Sequence, residues 1–527
     1  MRVITRDSKT PPSVDVKSSA RAPVTDPTLG IPSPPLRLPL PAQNPLVAVG
    51  DSLTQGFQSG AVYHTDVSYP RLIANELGLG DTFRFPRYPG GGGLPLSIEY
   101  VVRQLEQTFG SRIAWWEAPE ALLKLRKVMD QIEDYWERGP GATPPLGQGI
   151  QHDLGIYAWD LRDVLARTAR SCAAEIKKPH DDLILQIVEN ANARAAVRVL
   201  PLPDEVGGRD MGMLEAAEAL GENGGIETLI VLLGANNALP SVVELKVVWS
   251  KPGYDDLERK KAFTVWDPEH FELELSRVAA RVRKIRAAHV IWGTVPHVTI
   301  APIARGVGSK IAPESRYFPY YTRPWIQDAD FNPAEDPFIT AAEARAVDSA
   351  IDQYNDAIVN VVKQARSDAA DPRDWYVFDV AGMLDRLAQR RYIESPPARP
   401  PWWTPYELPP ALTSLTPVPN SKFFACGPGG RTDGGLFSLD GVHPTTVGYG
   451  LLSQEFIRVM ELSGVKFHNA DGTPRPNPVT IDFGALLAKD SLMSEPPLSF
   501  SNDLRVLGWL NRTIDLVGLG RIVRTIV

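Results

Sequence analysis

Short apolar runs alternate along this chain with stretches whose apolar residues recur every three or four positions. "PLVAVGDS" (45–52) is a buried-strand pattern that runs straight into a turn at Gly50, Asp51 and Ser52. "YPRLIANELG" (69–78) then has helical spacing and closes on a glycine cap. "TLIVLLGANN" (228–237), "HVIWGTVPH" (289–297) and "WYVFDV" (375–380) repeat the apolar run, and long amphipathic stretches precede the last two. Strands that alternate with helices predict an α/β fold, a parallel sheet covered by helices on both faces. Chemistry in such sheets collects at the carboxyl ends of the strands.

The remaining segments have a different texture. Residues 1–45 are rich in Pro, Ser and charge and read as an N-terminal arm rather than a domain. The main domain is expected over 46–461, with insertions near 86–148 and 392–437. Within them lie "GGGG" at Gly90–Gly93, taken as a lid hinge, and two tryptophan pairs, Trp115/Trp116 and Trp402/Trp403. These tryptophans either line a substrate surface or pack insert against core. Residues 462–527 form an extension whose last stretch, "NDLRVLGWLNRTIDLVGLGRIVRTIV", has helical spacing and four arginines. Packing on the main domain is its first reading and membrane-surface contact its second.

Charge and composition narrow the function classes. The 527 residues carry a formal net charge of -8 and no long Lys/Arg run, which argues against nucleic acid as the partner. Two cysteines, Cys172 and Cys426, are too few for a disulfide framework or a zinc site, though they leave one disulfide open. The N-terminus has no apolar signal core, and no uncharged run of about 18 apolar residues occurs, so a cytoplasmic chain is expected. The histidines show no H-E-x-x-H spacing, and neither metal nor cofactor is expected.

Three short motifs carry candidate chemistry. Ser52 follows a strand directly. Asp440 and His443, in "LDGVHPTTVGYGLLSQEF", stand three residues apart ahead of a helix started by Pro444. A serine hydroxyl reacts at neutral pH only when a base takes its proton, and a carboxylate on the base's other nitrogen fixes its tautomer. Asn236, in "GANN" after the second apolar run, has an amide that can donate to a developing oxyanion; one such donor accounts for about 3 kcal/mol of barrier. Each motif alone has a plain structural reading. Ser and Asp favour turns and helix caps, Asp-Gly is a common turn, and Asn236 can cap a helix. In this order, at the ends of predicted elements, they make a complete acyl-transfer set.

"GDSL" at 50–53, "GANN" at 234–237 and "DGVH" at 440–443 resemble blocks of the SGNH/GDSL hydrolases. The resemblance implies a flavodoxin-like α/β/α fold and a serine esterase or lipase without cofactor. Ser52 would be the nucleophile, His443 the general base and Asp440 its orienting partner. The oxyanion hole would combine the Ser52 backbone N–H with Asn236 and the residue in the glycine position of the family's second block. Aligned on "DLRDVL", that position holds Ala158, with Gly155 three residues earlier; alanine keeps the N–H provided the turn needs no positive φ. Asn237 replaces the usual Asp. Substrate class does not carry over, because family members take lipids, thioesters, acetylated sugars and aryl esters. Two rivals stand beside an ester hydrolase: a lipid-directed phospholipase or acyltransferase, and a non-catalytic binding module on the same scaffold.

Overall fold

The computed structural model describes residues 6–32, 42–147, 149–177, 188–502 and 504. Five strands form one all-parallel sheet: β1 (Asn44–Gly50), β2 (Asp153–Gly155), β3 (Ile226–Leu232), β4 (Ala287–Gly293) and β5 (Asp374–Phe378). Their spatial order is β5-β4-β3-β1-β2. That is one of the two common orders of doubly wound sheets, and its direction reverses beside β1, where such folds open a crevice. Gly50, the last residue of β1, is in register with Gly155 on one side and Leu232 on the other. The turns after β1, β2 and β3 therefore leave the sheet side by side.

Helices α1 (Ser52–Gln55) and α2 (Tyr69–Glu76) follow β1, and α3 (Met213–Glu222), α4 (Pro268–Val282), α5 (Ala341–Ser367) and α6 (Thr446–Ser463) follow later. Alternate strand residues point to opposite faces. Val47, Val49, Leu229, Val231, Val290 and Trp292 pack under α3, α4 and α5. Leu46, Ala48, Ile230, Leu232, Ile291 and Phe378 pack under α2 and α6. Helices thus cover both faces of the sheet, which is why its strands read as unbroken apolar runs.

Local sequence sets the helix ends. Thr340 and Glu343 exchange bonds in a capping box that opens α5, and Asp267 caps α4 just before Pro268. The proline expected to start α6 stands one residue further out: Thr445 is the cap, and Gly464, at φ +93°, closes the helix.

The arm lies along the main domain. Backbone N–H groups of Asp15 and Lys17 donate to Gln353 and Ser349 on α5, and Val377 of β5 donates to Pro27. A sheet edge left bare invites pairing with other chains, and this arm covers that edge. In the first insertion, helices Ile98–Phe109 and Ala118–Glu137 build their own apolar cluster. The Gly90–Gly93 run expected to hinge is packed beneath them, with Trp136 Nε1 donating to the Gly93 carbonyl at 2.6 Å. Cys172 and Cys426 are both buried and are not joined in a disulfide. Among the described residues no helix is long and apolar enough to cross a membrane. Beyond α6, helices Phe483–Lys489 and Ser491–Ser494 are present, while nearly all of the arginine-bearing stretch (505–527) lies outside the described residues.

Candidate active site

Helix α1 begins directly at the end of β1. Its cap is Asp51, whose carboxylate accepts the Leu53 N–H at 3.1 Å. Burial pushes the Asp51 carboxyl up to about 6, against the pull of that N–H and of His443. Because Asp51 caps, Ser52 is the first helical residue and its hydroxyl has no local duty. Ser52 Oγ instead meets His443 Nε2 at 2.8 Å. The other ring nitrogen, Nδ1, lies 3.0 Å from Asp440 Oδ2.

Asp440 is fixed from several sides. Its Oδ1 accepts the backbone N–H groups of Val442 and His443, each at 2.8 Å, and its Oδ2 accepts the Gly60 N–H at 2.9 Å. Burial alone would raise this carboxyl, but the imidazole and the backbone donors outweigh it and hold Asp440 below the usual carboxylate range. An ionised Asp440 keeps the proton on Nδ1, so Nε2 faces Ser52 as an acceptor. Phe57 packs on the imidazole with ring centroids 4.5 Å apart. The loops after α1 and before His443 are stitched together: Ser59 N–H donates to Ser438 Oγ at 2.8 Å, and Leu439 N–H donates to Ser59 Oγ at 3.3 Å.

Two glycines let α1 sit this low on the sheet. A Cβ on Gly155 would stand 2.4 Å from the Gln55 nitrogen. One on Gly50 would stand 2.8 Å from the Leu232 carbonyl oxygen, and closer still to the Thr54 hydroxyl. Any side chain at either position lifts α1, and Ser52 with it.

The donor side is built from the loops after β2 and β3. Asn236 Nδ2 donates to the Trp159 carbonyl at 3.0 Å, which orients the amide and leaves its second N–H. Gln55 Oε1 accepts the Tyr157 N–H at 2.7 Å. Ala158 lies between these two ties, at φ +60°. The turn does take a positive φ, so the alanine bears a strain that glycine would not. Among the described residues the N–H groups of Ser52 and Ala158 donate to no other group. Asn237 serves the loop: its Oδ1 accepts the Leu161 N–H at 3.4 Å, and its buried Nδ2 has no partner among the described residues.

The chain matches no family model, and no curated protein is similar enough to count as a match.

A cavity of about 130 Å³ opens beside Ser52 and His443, walled by Leu53, Val380, Met383, Leu387, Leu436 and Leu452. None of the four singled-out tryptophans lines it. Trp115 and Trp116 are 81% and 68% exposed, and Trp403 is buried against Tyr392. His297 does line it. Its Nε2 is 3.0 Å from Asp352 and its Nδ1 3.2 Å from Asp385. Burial disfavours the charged ring, but Asp385, Asp352 and Asp348 more than reverse this and push His297 up to about 10. Of the scattered histidines, His152 sits at the start of β2, neutral: burial and then Arg84 push it down to about 3. Among the described residues no group of three or more His, Cys, Asp or Glu side chains is placed to hold a metal ion.

The structure thus brings Ser52, Asp440 and His443 into hydrogen-bond contact and sets Asn236 and Ala158 on adjoining loops. Sequence reading missed the supports: Gly60 on Asp440, Phe57 on the imidazole, and Gln55 on the Ala158 turn. No motif marks them, because each acts through a contact that exists only after folding.

Proposed function

We propose that this protein is a serine carboxylic ester hydrolase of the SGNH/GDSL type. The observation that carries the reading is the continuous chain from Ser52 Oγ to His443 (2.8 Å) to Asp440 (3.0 Å). Sheet order supports the same reading, as does the position of Ser52 and Asn236 after neighbouring strands at the reversal point.

In acylation, His443 Nε2 takes the Ser52 proton while Oγ attacks the ester carbonyl carbon. The carbonyl oxygen, now anionic, is received by the N–H groups of Ser52 and Ala158 and by the Asn236 amide. Collapse breaks the bond to the alcohol, which leaves with the proton from His443. Water then gives its proton to His443 and attacks the acyl-serine, and the acid departs as Ser52 regains its proton. Asp440 orients the ring throughout and balances its transient charge.

The apolar cavity favours an acyl chain over a sugar on the acid side of the ester, which keeps lipid-directed hydrolysis or acyl transfer as the second reading. The test is labelling by a fluorophosphonate together with hydrolysis of nitrophenyl esters of graded chain length. Wild type should label stoichiometrically. Ser52→Ala should not label and should lose about 10⁴-fold or more in kcat. Undiminished esterase activity in that variant would end the proposal, and a preference for short chains would remove the lipid reading.

A further inference from the structure

A second cavity, about 410 Å³, adjoins the catalytic one and shares Ser421 with it. Five cationic side chains line it: Arg305, Arg316, Arg390, Arg391 and Lys422. Three are neutralised by carboxylates. Arg305 pairs with Asp328, Arg391 with Asp348 at 3.0 Å, and Lys422 with Glu394 at 2.8 Å and Asp433 at 3.0 Å. The other two are not. Arg390 donates to the Gly306 carbonyl at 2.7 Å and lies over the Phe318 ring. Among the described residues it has no carboxylate at ion-pair distance.

Arg316 is the more telling group. Only 5% of it is exposed, its guanidinium lies over the Tyr317 ring, Asp348 and Asp352 act on it only from beyond ion-pair distance, and among the described residues Nε, Nη1 and Nη2 have no hydrogen-bond partner. The Tyr392 hydroxyl adjoins this guanidinium. Nε of Arg305, on the same wall, also has no hydrogen-bond partner among the described residues. Folds pair or hydrogen-bond a buried cation because desolvating it alone is costly. Guanidinium groups from different elements that line one cavity with donors left over point to an anionic acceptor. Lys310, which donates to the Arg391 carbonyl, senses the same field: burial and then Arg391 and Arg390 push its ammonium down to about 7.

We propose that this cavity binds a phosphate group, free or as a monoester on a small organic molecule, with Arg316 and Arg390 as its principal contacts. Two guanidinium groups without a carboxylate at ion-pair distance suit the near-double negative charge of such a phosphate, and its three free oxygens can use donors from several sides. A carboxylate brings half that charge and two oxygens. The half-buried Arg390 and Lys422 leave a way in from solvent.

Calorimetric titration of the full chain with inorganic phosphate, butyl phosphate and acetate tests this. One equivalent of a phosphate-bearing ligand should bind, and whichever of the first two binds more tightly identifies the source. Arg316→Met and Arg390→Met should each weaken binding about tenfold or more. Arg316→Lys should recover only part, since it restores the charge without the planar fork. Should Arg316→Met fail to fold, Arg390→Met carries the test, because that guanidinium is anchored by a single backbone bond. Ser52→Ala should bind as wild type does, which separates this site from the ester chemistry. The proposal is overturned if neither phosphate ligand binds at millimolar concentration, if the arginine variants bind undiminished, or if acetate binds as tightly as phosphate.

Discussion

At the scale of single residues, the proposed site divides its labour so that each candidate reacting group has one task. Asp51 caps α1, so Ser52 does not have to, and three backbone N–H groups hold Asp440 ionised beneath its imidazole. Ala158 is the exception. An L-residue in the left-handed region costs about 1–2 kcal/mol, only part of which is recovered through a less flexible unfolded chain. Ala158→Gly should therefore stabilise the protein by about 0.5–1 kcal/mol in urea unfolding while ester hydrolysis persists, because the N–H is unchanged. Lower stability in the variant would mean that the positive φ is not a strain here. Ser52, Asp440, His443 and Asn236 were all legible in the sequence as candidates because the proposed chemistry requires those side chains. Ala158 was legible only by alignment on a helix start, since a backbone N–H leaves no mark on residue type.

At the scale of elements, the positioning of Ser52 depends on how closely α1 approaches the sheet. Gly155 is in register with Gly50, and its missing side chain is the space that the Gln55 nitrogen occupies. Gly155→Ala should lift α1, stretch the 2.8 Å contact between Ser52 and His443, and lower kcat/KM about 100-fold. The accompanying loss of stability should be about 1–3 kcal/mol, as overpacking usually costs. Wild-type kcat/KM in a folded variant would show that α1 tolerates the displacement. Helices and strands with long runs were readable from their periodicity. β2 was not, because Asp153–Gly155 is too short to show a period. The Gly90–Gly93 segment was misjudged as a hinge for a related reason: glycines that permit motion and glycines that permit close packing look alike until Trp136 is seen bonded to the Gly93 carbonyl.

Across the whole molecule, buried charge ties the far side of the catalytic cavity together. His297 bridges Asp352 on α5 and Asp385, which follows β5. Its folded-state pKa, about 10, lies above the value of about 6.5 for a free imidazole. The folded state therefore holds this proton more tightly than the unfolded chain does. The resulting stability is fully present below the unfolded value and is lost as pH rises through about 10. His297→Gln should cost roughly 3 kcal/mol at pH 7, by leaving two carboxylates without their counter-charge. The gap between wild type and variant in urea unfolding should close as pH rises toward 10; parallel curves would refute the linkage. No sequence pattern announces this bridge, whose three members are separated by 55 and 33 residues.

The sequence by itself determined the long strands and helices and which side chains could do acyl chemistry, because periodicity and residue type are local properties. Tertiary structure alone decided the rest. The reversal of strand order brings the turns after β1, β2 and β3 together, and two missing side chains set the height of α1. Folding gathers carboxylates into contact with His297 while it leaves Arg316 without one at ion-pair distance among the described residues. Register, close approach and charge balance are relations between distant residues, and no single stretch of chain encodes them.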